Sequence, residues 1–142
     1  MKLIPIHGKN LIDKWGYFSE GMEKVQRYSK NDENITTVYN DILAGNAMIW
    51  AGFMEQRYVG FIVTQILFTP FEEKRLLIRS MFSKEKLTDD DYEAGFAELD
   101  NYARSMGVKT MEFQTQRDKG FDKILKGQKW QKKYVIYERE VV

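Results

Sequence analysis

The stretch LTDDDYEAGFAELDNYARSMG at 87–107 constrains the fold more than any other part of this chain. Thr88 has the hydroxyl of a helix N-cap, three successive aspartates follow it, and Tyr92, Phe96, Leu99, Tyr102, Ala103 and Met106 recur at helical spacing until Gly107 closes the helix. This helix over 89–106 lies between two runs of strand character, RLLIRSMF at 75–82 and KTMEFQTQ at 109–116. A strand, a covering helix and a second strand form a right-handed crossover, so the two strands are expected to run parallel. The passage therefore predicts a βαβ unit inside an α/β mixed sheet.

The remaining elements fall on either side of it. LIPI at 3–6 predicts a short strand, with Pro5 suited to a sheet edge, and Asn10 stands where a helix N-cap is expected. Leu11, Ile12, Trp15, Phe18, Met22 and Val25 form the apolar stripe of that first helix, which SKNDEN at 29–34 ends. Asn34 caps a second helix carrying Ile35, Val38, Tyr39, Ile42 and Leu43, and Gly45 with Asn46 forms its exit. AMIWAGFM at 47–54 and YVGFIVTQILF at 58–68 are rich in β-branched and aromatic residues and predict a hairpin across the link EQR. With 75–82 they make three neighbouring antiparallel strands. A short helix over 118–126 and a closing strand at 132–141 complete the expected order β-α-α-β-β-β-α-β-α-β, in one domain spanning 1–142.

Composition removes several chemistries. No cysteine is present, so disulfides, zinc–thiolate sites and thiol nucleophiles are excluded. His7 is the one histidine, which leaves poor material for a transition-metal site or a Ser-His-Asp triad, and no metal is expected. The 22 basic and 21 acidic side chains nearly cancel, so no overall field gathers nucleic acid or an anionic membrane. The one concentrated basic patch, Lys126 to Lys133 with Trp130 and Tyr134, reads as a solvated turn, and nucleic acid is not an expected partner. Neither a signal peptide nor a membrane-spanning apolar run is legible, and the expected location is cytoplasmic. In the first helix Trp15, Tyr17, Phe18 and Tyr28 exceed what one buried stripe needs, which points to a protein partner or self-association.

The element order resembles the GCN5-related N-acetyltransferase (GNAT) fold. Tyr58-Val59-Gly60-Phe61-Ile62 is similar to that family's "vGfi" third strand, Ala103-Arg104-Ser105-Met106-Gly107 to the end of its central helix, and Gly127-Gln128-Lys129-Trp130 falls near its late "lGF" turn. The resemblance implies a loop of the form Q/R-x-x-G-x-G/A entering the central helix, where main-chain N–H groups and the helix dipole hold the pyrophosphate of acetyl-CoA. That loop falls on Leu87-Thr88-Asp89-Asp90-Asp91-Tyr92, which has no glycine and three carboxylates. Each carboxylate repels a nearby phosphate charge by about 1 to 4 kcal/mol at surface-like dielectric. The aspartates also have a structural role, since acidic groups in a first turn complement the helix dipole.

Two functional readings follow. In the first, the donor site is degenerate, no cofactor is bound, and the domain is a protein-binding or structural accessory component of a bacterium or bacteriophage, including a virion component. In the second, it is an acetyl-CoA-dependent N-acetyltransferase of an amine. Met81, Phe82, Ser83, Lys84, Thr88 and Asp89 would then bind the cofactor, main-chain groups of Arg79 to Phe82 would face the pantetheine arm, and Lys84 and Lys86 would reach the phosphates. The family's usual tyrosine acid falls on Leu125, which cannot donate a proton, so Tyr134 or Tyr137 would substitute. Glu72, Glu73 and Glu112 are the candidate bases, with Glu112 read mainly as a solvent-facing strand residue, and His7 mainly as a surface group.

Overall fold

The computed structural model describes residues 1–28, 34–71, 73–114, 118–127, 129–133 and 135–141. A five-stranded sheet in the order β1-β2-β3-β4-β5 forms its centre, with β1 Lys2–Ile6, β2 Met48–Met54, β3 Arg57–Phe68, β4 Lys74–Ser83 and β5 Thr110–Phe113. The first four strands are antiparallel neighbours, and β5 joins β4 in parallel. Helices α1 Gly8–Tyr28 and α2 Ile35–Leu43 precede β2, α3 Asp89–Ser105 crosses from β4 to β5, and α4 Asp118–Leu125 follows. The α/β mixed sheet and its parallel crossover are as expected.

Each face of the sheet buries its own core. Leu11, Phe18 and Met22 of α1 and Val38 and Ile42 of α2 pack on Ile49, Ala51, Phe61 and Val63. On the other face Phe96, Leu99 and Ala103 of α3 pack on Leu3, Trp50, Ile62, Leu76 and Ile78. Alternation along the strands supplies both faces, so the central strands are apolar almost throughout. The amide of Leu3 donates to Glu98 Oε2 at 3.1 Å, which ties β1 to α3. Gly21 lets α1 sit close on the sheet: a Cβ there would fall 2.5 Å from Phe82 Cδ1 and 2.7 Å from Phe61 Cε1.

Some local expectations shift. Helix α1 starts at Gly8, so Asn10 lies within its first turn and its amide donates to the carbonyl of His7 at 3.0 Å. Asn34 does cap α2, accepting from the Thr37 amide. The hairpin turn is tighter than expected and places Glu55 at φ 58°. The predicted strand at 132–141 does not form among its described residues, and Val135, Ile136, Tyr137 and Val141 are exposed. Alternating β-branched residues suit a pleated surface, but a strand exists only where a neighbour completes its hydrogen bonds. No neighbour does so for those residues.

Candidate functional site

The parallel ladder between β4 and β5 runs only from Arg75 opposite Thr110 to Ile78 opposite Phe113. Strand β4 continues through Ser83, so Ser80–Ser83 extends beyond the β5 ladder of the described residues. The register with β3 slips at the same place: Val63 faces Ser80 while Thr64 faces Ile78, making Arg79 the extra residue of a bulge. A bulge bends its strand and increases its twist, here next to the last described pair of the β4–β5 ladder. Arg79 is held there by Asp41 of α2, with Nη1 and Oδ2 2.7 Å apart. Ser80 beside it keeps a buried hydroxyl with no hydrogen-bond partner.

An apolar cavity of about 210 Å³ opens against this end of β4. Met81, Phe82 and Ser83 form its β4 wall, and Tyr92, Gly95 and Phe96 of α3 cover it. Gly60 lines it where β3 and β4 approach most closely, and a Cβ on Gly60 would lie 2.0 Å from the carbonyl oxygen of Phe82. On the α1 side of the same strand ends, a polar cavity of about 370 Å³ is lined by Tyr17, Glu20, Lys24, Tyr58, Ser83 and Lys84. The Tyr58 hydroxyl is buried without a hydrogen-bond partner, and burial pushes its pKa up to about 12.

The entrance to α3 is closed by its own side chains. The amide of Thr88 donates to Asp91 Oδ2 at 2.9 Å, and the amide of Asp91 donates to Thr88 Oγ1 at 3.2 Å. This capping box uses two of the N–H groups that a helix end otherwise offers to an anion. Hydrogen bonds from Thr88 hold the Asp91 carboxyl below the usual carboxylate range. Burial, and then the charge of Asp91, raise the pKa of Tyr92 next to it.

The expected site residues divide accordingly. Met81, Phe82 and Ser83 meet at the apolar cavity. Thr88 and Asp89 stand at the helix entrance, where Thr88 is occupied by capping. Lys84 is not at that entrance: it lines the polar cavity, its amide donates to the Val59 carbonyl at 2.7 Å, and its Nζ lies 5.7 Å from the Tyr58 ring centre. Glu112 lies within the β4–β5 ladder opposite Leu77, only partly exposed, with Oε2 3.3 Å from Arg75 Nη1. Its expected solvent-facing position is thus corrected, because Arg75 on the neighbouring strand pairs with it, and Glu73 joins the same arginine at 3.7 Å. Tyr134 and Glu72 lie outside the described residues. Trp130 packs inward, with its ring centre 5.3 Å from Phe96 and 5.9 Å from Phe113, while Lys132 pairs with Asp122 at 3.7 Å. His7 and Tyr137 are exposed.

Sequence reasoning missed the cavity's cover. By spacing, Phe96 is a core residue and Tyr92 belongs to the core stripe and to the expected donor loop; Gly95 carries no periodic signal. A glycine inside a helix costs about 1 kcal/mol relative to alanine, which was the available signal. Among the described residues, no three His, Asp or Glu side chains gather as a metal site would require, and no helix is long and apolar enough to cross a membrane.

No protein-family model and no curated protein matches this sequence. Solved structures match over nearly the whole chain. An aminoglycoside acetyltransferase from an uncultured soil metagenomic sample, in complex with sisomicin, superposes with a TM-score of 0.73 at 11% identity, covering 99% of this chain and 95% of the other. A ribosomal-protein-alanine N-acetyltransferase from Brucella melitensis biovar Abortus 2308 does so with a TM-score of 0.71 at 11% identity, over 99% and 100%. An aminoglycoside N-acetyltransferase in complex with CoA gives 0.64 at 10% identity.

Proposed function

We propose that this chain, whose fold is that of the GCN5-related N-acetyltransferases, is an acyl-CoA-dependent N-acyltransferase acting on an amine. The observation that carries this reading is the stretch of β4 from Ser80 to Ser83, which lies beyond the bulge and beyond the β5 ladder of the described residues, and lines an apolar cavity. An extended pantetheine arm can hydrogen-bond to such a stretch as an added strand would. Main-chain N–H groups there can also stabilise the oxyanion that forms when an amine adds to a thioester carbon.

An acyl-CoA supplies an activated acyl carbon. In the transfer a C–N bond forms, the C–S bond breaks, the amine proton leaves to a carboxylate or through water, and the thiolate takes up a proton. Fit differs between the two ends of the donor. This stretch of β4 suits the thioester and pantetheine. The α3 entrance does not suit the diphosphate, because the Thr88 and Asp91 amides are already bonded and carboxylates surround them. The diphosphate would therefore be held by side chains outside that turn, with Lys84 and Lys86 as candidates.

The closed α3 entrance favours a second reading, a protein-binding accessory component that no longer takes the cofactor. Titration calorimetry with acetyl-CoA separates the two. A micromolar dissociation constant, followed by acetylation within a panel of amines, supports the enzyme. Absence of binding at millimolar concentration by acetyl-CoA and by longer acyl-CoAs alike would remove it and leave the accessory reading.

A further inference from the structure

We infer that the acyl group taken by this site is a medium-length alkyl chain, longer than acetyl, lying in the cavity beneath the start of α3; this rests on the acyl-transfer reading above. The cavity does not stop at β4. It runs under α3 across the ends of β3 and β2 to Met1 and to Leu3 of β1, so its walls span four adjacent strands. At about 4.8 Å between strands, that is a path of roughly 14 Å. Two acyl carbons would occupy only its mouth.

Its chemistry changes along this path. Ser83, Asp91 and Tyr92 supply the polar lining, all near the α3 entrance, and Asp91 is already committed to Thr88. The β1 end is made by Met1, Leu3, Gly52 and Gly95, whose side chains bring no oxygen or nitrogen atom; the Leu3 amide is satisfied by Glu98, and the Met1 α-ammonium acts on the Asp91 carboxylate. A volume of about 210 Å³ is several times the roughly 30 Å³ a water occupies in the liquid. A largely apolar lining of this kind favours a hydrophobic ligand over water.

Two glycines keep the β1 end open. A Cβ on Gly95 would make an ordinary contact, 3.7 Å from Met1 Cγ, so a small side chain fits there and a larger one would extend into the cavity. Gly95 interrupts a helix that has no conformational need of glycine, since it is not among the positive-φ residues. On Gly52 a Cβ would approach Met1 Sδ to 3.4 Å and Leu3 Cδ2 to 3.6 Å.

The test is calorimetric titration of the full chain with acetyl-, butanoyl-, hexanoyl- and octanoyl-CoA. Each methylene buried is expected to tighten binding about four-fold until the cavity is filled. In Gly95→Leu the ratio of octanoyl- to acetyl-CoA affinity should fall to near one. If that variant does not fold, Gly95→Ala, whose methyl fits, should reduce the ratio part of the way. Tight acetyl-CoA binding that stays level or weakens with chain length overturns this inference and spares the acyl-transfer reading. Binding of none of the four overturns both.

Discussion

Thr88 and Asp91 each bond the other's main-chain amide, Thr88 N to Asp91 Oδ2 at 2.9 Å and Asp91 N to Thr88 Oγ1 at 3.2 Å. The third aspartate of the run is thus a structural cap at the entrance to α3. Thr88→Ala is expected to cost about 1 kcal/mol, read as a lower thermal midpoint.

The same contact has a definite pH dependence. The Asp91 pKa is depressed in the folded chain by the Thr88 hydrogen bonds, so its stabilisation is fully present above the ordinary carboxylate pKa of about 4 and is lost as pH falls through the lower folded value. The difference in melting temperature between the native chain and Asp91→Ala should be constant above about pH 5 and narrow below pH 4. A difference that widens on acidification would refute the capping role.

Tyr58 should be dispensable for stability. Its hydroxyl is buried without a partner, and an unsatisfied polar group costs about 1 to 3 kcal/mol. Tyr58→Phe is therefore expected to leave the denaturant midpoint unchanged or raise it. Burial lifts the folded pKa to about 12 from the ordinary value near 10, so stability held below pH 10 declines as pH rises toward 12. Ultraviolet titration should show a tyrosine ionising near pH 12 that Tyr58→Phe removes.

Gly60 is demanded by packing against main chain. A Cβ there would meet the Phe82 carbonyl oxygen at 2.0 Å and Ser83 Cα at 2.9 Å, and neither can rotate aside. Gly60→Ala should cost about 3 kcal/mol or more and weaken donor binding with it, because the strand that moves is the one that lines the cavity. Unchanged stability in chemical denaturation would show that β3 and β4 can separate there at little cost.

Trp50 Nε1 donates to Thr64 Oγ1 at 2.9 Å inside the sheet. Thr64→Val keeps the shape but leaves the indole N–H unpaired, at an expected cost of about 1 to 3 kcal/mol. Its urea midpoint should fall with an unchanged slope.

Much of the fold was legible because its signals are local. The stripe Phe96, Leu99 and Ala103 and the caps Asn34 and Thr88 depend on neighbours within a turn. Periodicity does not say where the surface beneath a helix ends: Ile12 and Met106 belong to their stripes by spacing yet are 57% and 41% exposed. Glu112 gave no sign of its arginine, because Arg75 is 37 residues away and becomes a neighbour only through the crossover.

The order of elements from β1 to α4, the parallel crossover and the Thr88-capped helix entrance were determined by sequence alone, through hydrogen-bonding periods of two and 3.6 residues and a single handedness rule, whereas the strand expected at 132–141 was not. The tertiary structure decided where the β4–β5 ladder stops, that Arg79 bulges, and that Met1, Gly52, Gly60, Met81 and Gly95 enclose one cavity. These depend on strand register and on how closely α3 settles on the sheet. Both are set by packing among residues far apart in the chain, which no local pattern encodes.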